Sequence, residues 1–288
     1  NGTTISIRTK SFSPSYEKAE YDPEVPPNFI DKSVNVDTTE QAGKLLDTLF
    51  DGHKVFDYPK PVELIEYLCN FICDKNDIIL DFFSGSATTA QAVMQMNADD
   101  GGKRKFILVQ LNEPCEEDTE AFKAGYADIC EIGKERIRRA GKKIAKENPK
   151  AVFDGGFRVL KVNDSNMKDV YDSADEYDQG MLKGLESNIK EDRTDLDLLF
   201  GCLLEWGLPL SLPYTSEQID GCTVHTYNDG DLIACFNQNV PESVIKIIAK
   251  RQPLRIVFRD SSFMNSPAKI NIGEIFKLIA PNTRIKVI

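Results

Sequence analysis

Histidine and tryptophan are nearly missing from this 288-residue chain, with His53, His225 and Trp206 their only representatives. Two histidines give a metal centre little to build on. The seven cysteines are an odd number without paired spacing, which argues against a disulfide framework and for reduced thiols in a cytosolic protein. Cys69 and Cys73 lie one helical turn apart and read as core cysteines rather than metal ligands. No apolar run approaches the roughly 20 residues of a membrane span, and no signal peptide opens the chain. The Gly-Lys-Ser/Thr signature of a P-loop does not occur, and the three glycines of a dinucleotide turn are reduced to Gly85, Ala87 and Ala90. Basic charge is also in deficit: the net charge of −11 argues against a surface wrapped wholly in nucleic acid, while leaving room for a local basic face. Asn1 is not a methionine and the first residues read like mid-protein sequence, so the chain is expected to be part of a longer polypeptide.

What the chain does contain is organised around Ile78-Ile79-Leu80-Asp81-Phe82-Phe83-Ser84-Gly85-Ser86-Ala87-Thr88-Thr89. A short apolar run ends in an acid, passes a small-residue turn and enters a helix. In this layout a small polar ligand sits over strand ends and a helix N-terminus. Residues 78–80 predict a strand buried on both faces, as in a parallel sheet. Residues 88–96 predict a helix with Ala92, Val93 and Met96 inward, and Asp99-Asp100-Gly101-Gly102 a turn. Residues 106–111 predict a second buried strand ending at Asn112-Glu113-Pro114, which completes a βαβ unit. Upstream, residues 4–8 alternate as a strand, and residues 22–27, with Pro23, Pro26 and Pro27, read as a surface loop. Thr38 caps a helix carrying Ala42, Leu45, Leu46, Leu49 and Phe50 on one face, which Gly52 stops. Pro61 opens another, with Val62, Ile65, Leu68, Cys69 and Ile72 facing one way.

Downstream, residues 119–146 predict one long helix, weakened by Gly125, Gly133 and Gly141. Its second half is densely basic and reads either as a solvated face or as a phosphate-contacting patch. Gly155-Gly156 marks a boundary, residues 157–162 alternate as a strand, and residues 164–197 form an acidic connection. A small α/β domain follows, with a hairpin at Asn228-Asp229-Gly230. Asp260-Ser261-Ser262 has no histidine nearby in sequence and reads as a capping turn.

The ligand follows from the charges. An acid at the end of the first strand repels a pyrophosphate and welcomes a cationic amino or sulfonium group. A second acid, Glu113, after the next strand can accept hydrogen bonds from two ribose hydroxyls. Together these suit S-adenosylmethionine better than NAD or ATP. Lys60, beside a helix start, is either a solvated lysine or a partner for an anion bound at that helix end.

The stretch from Asp81 to Thr89 resembles the cofactor-binding motif of amino-methyltransferases that act on DNA, and Tyr58-Pro59-Lys60-Pro61 resembles the lysine-proline motif that precedes it. The acid-ended second strand is similar to the corresponding strand of the same group. Gly207-Leu208-Pro209-Leu210, Ala234-Cys235 and Arg259-Asp260-Ser261-Ser262-Phe263 extend the likeness towards the C terminus. The combination is most similar to the modification subunit of Type III restriction–modification systems, an adenine-N6 DNA methyltransferase. The resemblance implies a partial Rossmann-like S-adenosylmethionine-dependent methyltransferase fold followed by a smaller α/β C-terminal domain. Residues 1–50 would be the residual arm of a target-recognition region, 51–150 the cofactor-binding half and 151–288 the C-terminal domain with its acidic connection. Phe83, Gly85, Ser86 and Thr88 would line the pocket. Asp81 would meet the methionine end, Lys60 with Tyr58 would bracket its carboxylate side, and Glu113 would hold the ribose. Ala87 departs from the more usual glycine, tightening the turn or narrowing the pocket. The family's catalytic Asp/Asn-Pro-Pro-Tyr/Phe loop, which grips a flipped adenine, is absent from residues 1–288. The chain alone is therefore expected to bind cofactor without catalysing. The implied partners are double-stranded DNA, mainly through regions upstream, a restriction subunit and a second copy of the modification subunit. The other expectation is a non-catalytic assembly module of the same complex.

Overall fold

A computed structural model describes residues 4–7, 14–17, 30, 34–168, 188–264 and 266–288. The loop expected over residues 22–27 and the central part of the acidic connection, residues 169–187, lie outside the described residues. The architecture is mixed α/β, in two compact units, Asn1–Phe157 and Arg158–Ile288.

In the first unit, the alternating residues at the start form β1 (Thr4–Ile7), paired antiparallel with β2 (Pro14–Glu17). Helix α1 (Thr39–Leu49) starts where the Thr38 hydroxyl accepts from the Gln41 amide at 3.3 Å, satisfying one of the free first-turn N–H groups. Its inward residues Ala42 and Leu46, continued by Phe50, are buried, and Leu46 and Phe50 pack with Val55, Ala121 and Ile132. Helix α2 (Val62–Ile72) starts behind Pro61, whose fixed φ suits a helix entry. Then come β3 (Ile78–Asp81), α3 (Thr88–Asp100) and β4 (Lys105–Leu108), with the two strands parallel and Asp81 opposite Leu108. The predicted βαβ unit is present. Ala92, Val93 and Met96 of α3 are buried as its pattern requires.

The long helix expected from residue 119 is two. Thr119 caps α4 (Glu120–Lys123), Gly125 turns the chain with φ +93°, and Asp128 caps α5 (Ile129–Glu147) by accepting from the Glu131 amide at 2.9 Å. A residue at positive φ ends a helix, and glycine adopts it without penalty. Helix α5 packs Ile137, Ala140 and Ile144 on Ala87, Ala90 and Met94.

Three further expectations do not hold. The strands β3 and β4 are covered on one face only: Phe106 and Leu108 pack on the α3–α5 core, while Ile78, Leu80, Ile107, Val109 and Leu111 are exposed. This sheet has two strands among the described residues, and its buried side chains are those packed on α3 and α5. Leu45, Leu68 and Ile72 also point outward. Residues 157–162 form no strand despite their alternation.

In the second unit, the Arg158 guanidinium lies 5.2 Å and 5.4 Å from the ring centres of Phe200 and Tyr214 and donates to the Leu210 and Leu212 carbonyls. Helix α6 (Asp195–Glu205) opens with a capping box between Thr194 and Asp197. Five strands follow in sequential order, β5 (Tyr214–Ile219), β6 (Cys222–Tyr227), β7 (Leu232–Cys235), β8 (Arg255–Phe258) and β9 (Arg284–Val287). The first three pair antiparallel and the last three parallel, with α7 (Glu242–Lys250) and α8 (Ser266–Ile279) as the crossovers. The β6–β7 hairpin turns at Asn228-Asp229-Gly230, all three at positive φ. Strand β5, at the edge, carries no strong apolar signal. Period-two alternation divides β7 between two cores. Ile233 and Cys235 face α7 and α8 with Ile248, Ile256, Phe258 and Phe276, whereas Leu232 and Ala234 face α6 with Leu199 and Leu203. No helix among the described residues is long and apolar enough to cross a membrane.

Candidate cofactor site

The turn between β3 and α3 is fixed by its own polar groups. One Asp81 carboxylate oxygen accepts from the Thr89 hydroxyl at 2.6 Å and the other from the Phe83 amide at 3.1 Å. The acid thus ties the strand end to the first turn of α3, where a negative charge is favoured by the helix dipole. The Ser84 amide donates to the Val109 carbonyl at 3.2 Å, and the Gly85 amide donates to the Gln110 side-chain oxygen at 2.7 Å. These two bonds pin the turn to the chain leaving β4. Gly85 has φ +50°, and a Cβ there would stand 3.2 Å from the Phe56 ring, so both conformation and space favour glycine. Ala87 has φ +65° yet carries a methyl. That methyl is buried in the core with Met94 and Ile137, which places it under the turn rather than over the open side.

The remaining sequence-derived site residues fall into four groups. Phe83, 80% exposed, and Tyr58, 79% exposed at φ +53°, present open aromatic faces. Lys60 is exposed, and its carbonyl accepts from the Thr88 hydroxyl at 3.4 Å, so the lysine-proline segment is joined to the turn through its backbone. Ser86 and Thr88 lie beneath the turn and are buried. Glu113 is exposed in the loop after β4, where its carbonyl accepts from the Ile129 amide at 3.0 Å and sets the start of α5. Among the described residues, no hydrogen bond joins the Tyr58 or Glu113 side chain to the turn. Beside the turn is an open cleft of about 330 Å³, walled by Leu68, Leu80, Phe82 and Phe83, with Asp81 and Thr89 at its polar end.

Arg136 is the residue the sequence reading passed over. Its guanidinium donates to the Ser86 and Thr88 hydroxyls, each at 2.7 Å, and to the Gln91 side-chain oxygen at 2.9 Å. Burial pushes it down to about 10. Its signal lay in spacing: Ile132, Arg136 and Ala140 share one helical stripe, so this member of the basic run sits on the buried side. Part of the rest of the run is paired with acids. Lys134 pairs with Glu131, Arg138 with Glu135 at 3.4 Å, Arg139 with Asp51 at 2.6 Å and Glu135 at 2.8 Å, and Lys143 with Glu147 at 3.9 Å. The paired side chains fit a solvated face, whereas Lys142, Lys146 and Lys150 form no ion pair among the described residues.

Other chemistry-bearing residues read structurally. Cys69 is buried, and burial pushes its thiol up to about 11, which leaves it an unreactive core thiol. Among the described residues, no group of three or more His, Cys, Asp or Glu is placed to hold a metal ion. Residues Asp260–Ser262 form a single 3-10 turn. In the second unit, Ser216 on β5 lies opposite His225 on β6, its hydroxyl 2.7 Å from Nδ1, and Asp195 stands 3.5 Å from Nε2. This row reverses the nitrogens of a Ser-His-Asp triad. The serine stands exposed on an edge strand, so the row serves to tie the start of α6 to the sheet.

A DNA methylase family matches residues 11–142 of the chain. Over 124 residues, the chain is 44% identical to the Type III restriction-modification enzyme StyLTI Mod subunit of Salmonella typhimurium, covering 43% of this chain and 19% of that protein. It is 28% identical over 263 residues to the EcoP15I Mod subunit of Escherichia coli, covering 88% of this chain and 38% of the relative. The EcoPI Mod subunit of Escherichia phage P1 is also 28% identical, over 242 residues, covering 82% of this chain and 36% of the relative. The chain thus spans between 19% and 38% of the lengths of these relatives.

Proposed function

From this kinship with the modification subunits of Type III restriction–modification enzymes, we propose that the chain forms the S-adenosylmethionine-binding portion of an adenine-N6 DNA methyltransferase. In this reading β3, α3 and β4 are the first βαβ unit of a Rossmann-like fold. The observation that carries it is the turn after β3, closed by Gln110, with a carboxylate at the strand end and open aromatic faces beside it.

The donor chemistry fits the cofactor. Asp81 keeps unused lone pairs on both oxygens for an amino group, and its charge favours a nearby sulfonium. Glu113, exposed and unpaired by any cation in hydrogen-bond contact among the described residues, can accept from two vicinal hydroxyls. Phe83 and Gly85 border the pocket, Tyr58 and Lys60 flank the carboxylate side, and Ser86 and Thr88 act from beneath. The bound cofactor would supply an activated methyl group. This chain's residues hold and orient that donor, and the adenine would be gripped by an Asp/Asn-Pro-Pro-Tyr/Phe loop outside residues 1–288. Alone, the chain binds without transferring. In the whole protein the partners would be double-stranded DNA, a restriction subunit and a second modification subunit, in the cytoplasm.

Titration calorimetry on the chain tests this. Saturable heat is expected with S-adenosylmethionine and none with NAD. Asp81→Asn and Glu113→Gln should each weaken binding by about tenfold, or about 1.4 kcal/mol. No heat with S-adenosylmethionine, or a preference for NAD, overturns the reading. A second reading, an assembly module with a relic pocket, is favoured by the exposed apolar face of Ile78, Leu80, Ile107 and Leu111. Sedimentation of the chain as a strict monomer speaks against it.

A further inference from the structure

Resting on the cofactor reading, we infer that Arg136 is a positioning residue that gives the turn its preference for a carboxylate-bearing ligand. Arg136 is 3% exposed, and its guanidinium is solvated by two hydroxyls and one amide oxygen. Among the described residues it forms no ion pair with any carboxylate. The other buried arginine of this unit, Arg104, meets Asp100 through two bonds at 3.0 and 3.1 Å. A cation withdrawn from water without a counter-ion is costly, and proteins ordinarily pair it. Here its positive charge is left uncompensated directly under the turn.

The geometry transmits that charge outward. Ser86 and Thr88 use lone pairs to accept from Arg136, which leaves each hydroxyl proton free to be donated elsewhere. Thr88 directs its proton to the Lys60 carbonyl, so one chain of bonds runs from Arg136 through Thr88 to the lysine-proline segment. Hydroxyls that accept from a cation become stronger donors, because linked hydrogen bonds polarise one another. Arg136 therefore does two things at once. It sets the separation of the two segments that flank the pocket, and it supplies a buried positive field beneath Ser86 and Thr88. An anionic group bound over the turn gains from that field, whereas a neutral or cationic one does not. The cofactor's methionine end carries one such group, its carboxylate.

Two ligands that differ only in that group separate this role from simple stapling of α5 to α3. Calorimetry on the 288-residue chain would measure S-adenosylmethionine and decarboxylated S-adenosylmethionine, and the quantity read is the ratio of their dissociation constants. Arg136→Gln should reduce the preference for the carboxylate-bearing ligand at least tenfold, and Arg136→Lys should keep most of it. Thr88→Val, which preserves shape and breaks the link to Lys60, should lower the ratio severalfold and serves if the glutamine variant does not fold. Equal weakening of both ligands, or an unchanged ratio in the folded variants, overturns the inference while leaving the cofactor reading intact. A wild-type chain that binds neither ligand overturns the cofactor reading, and this inference with it.

Discussion

The two units of the chain differ in how completely they bury their sheets. The five-stranded sheet of the second unit is sealed on both faces, by α7 and α8 on one side and α6 on the other. The β3–β4 sheet of the first unit, two-stranded among the described residues, leaves Ile78, 61% exposed, and Leu80, 57% exposed, in the open. Parallel strands are normally covered on both faces. The unit that carries the candidate site is thus the one with surface still to bury, while the unit without it has a closed core. Fixation of the site turn does not depend on that open face. It comes from Asp81, Gln110 and Arg136, bonded from the strand end, the chain after β4, and α5.

Core truncation is the strongest way to probe this contrast. Phe258→Ala removes a fully buried ring from the second unit and should cost about 3–5 kcal/mol in denaturant unfolding. Leu80→Ala in the first unit should cost below about 1 kcal/mol, because most of its side chain is already in water. A cost for Leu80→Ala as large as that for Phe258→Ala would break the comparison and show that the open face is covered in solution.

Glu66 on α2 offers a smaller effect with a pH signature. Burial, with lesser help from the charges of Glu63 and Asp99, pushes it up to about 7 from an ordinary 4.5. Between those values the folded protein keeps a proton that the unfolded chain has released, so stability falls as pH rises through this window. The difference corresponds to about 3 kcal/mol at most, and partial solvent access reduces it to about 1–2 kcal/mol. Glu66→Gln should therefore raise stability by about 1–2 kcal/mol at pH 8 and leave it unchanged at pH 4. A gain that is the same at both pH values would show that packing, not charge, limits this side of α2.

A change close to that of Leu80→Ala is expected at Gly85. An alanine there must hold φ +50° and place its methyl 3.2 Å from Phe56, at a cost of about 1 kcal/mol. Thermal unfolding of Gly85→Ala measures this, and no loss would mean that the turn relaxes away from Phe56.

Much of this was legible in residue order. The apolar run ending in Asp81, the small-residue turn, the helix with Ala92, Val93 and Met96 inward and the Asn228-Asp229-Gly230 hairpin all follow from local rules of period and turn chemistry. Those rules act over a few residues, so a sequence states them directly. The broken helix at Gly125 and the unpaired residues 157–162 escaped because alternation and helical spacing are permissive: they allow an element without requiring it.

Tertiary structure decided the partners. Ser86 and Thr88 read as pocket-facing hydroxyls until α5, some 50 residues on, places Arg136 beneath them. His225 acquired Ser216 and Asp195 through strand register and the start of α6. The open face of β3 and β4 likewise depends on which strands and helices meet it, since an apolar run of four residues looks the same whether one face or two are covered. The sequence by itself determined that the stretch from Ile78 to Thr89 is a strand, a turn and a helix with an acid at the strand end, because those preferences are local. Only the fold determined that this turn rests on a buried arginine without a counter-ion among the described residues, because burial and hydrogen bonding depend on segments far apart in the chain.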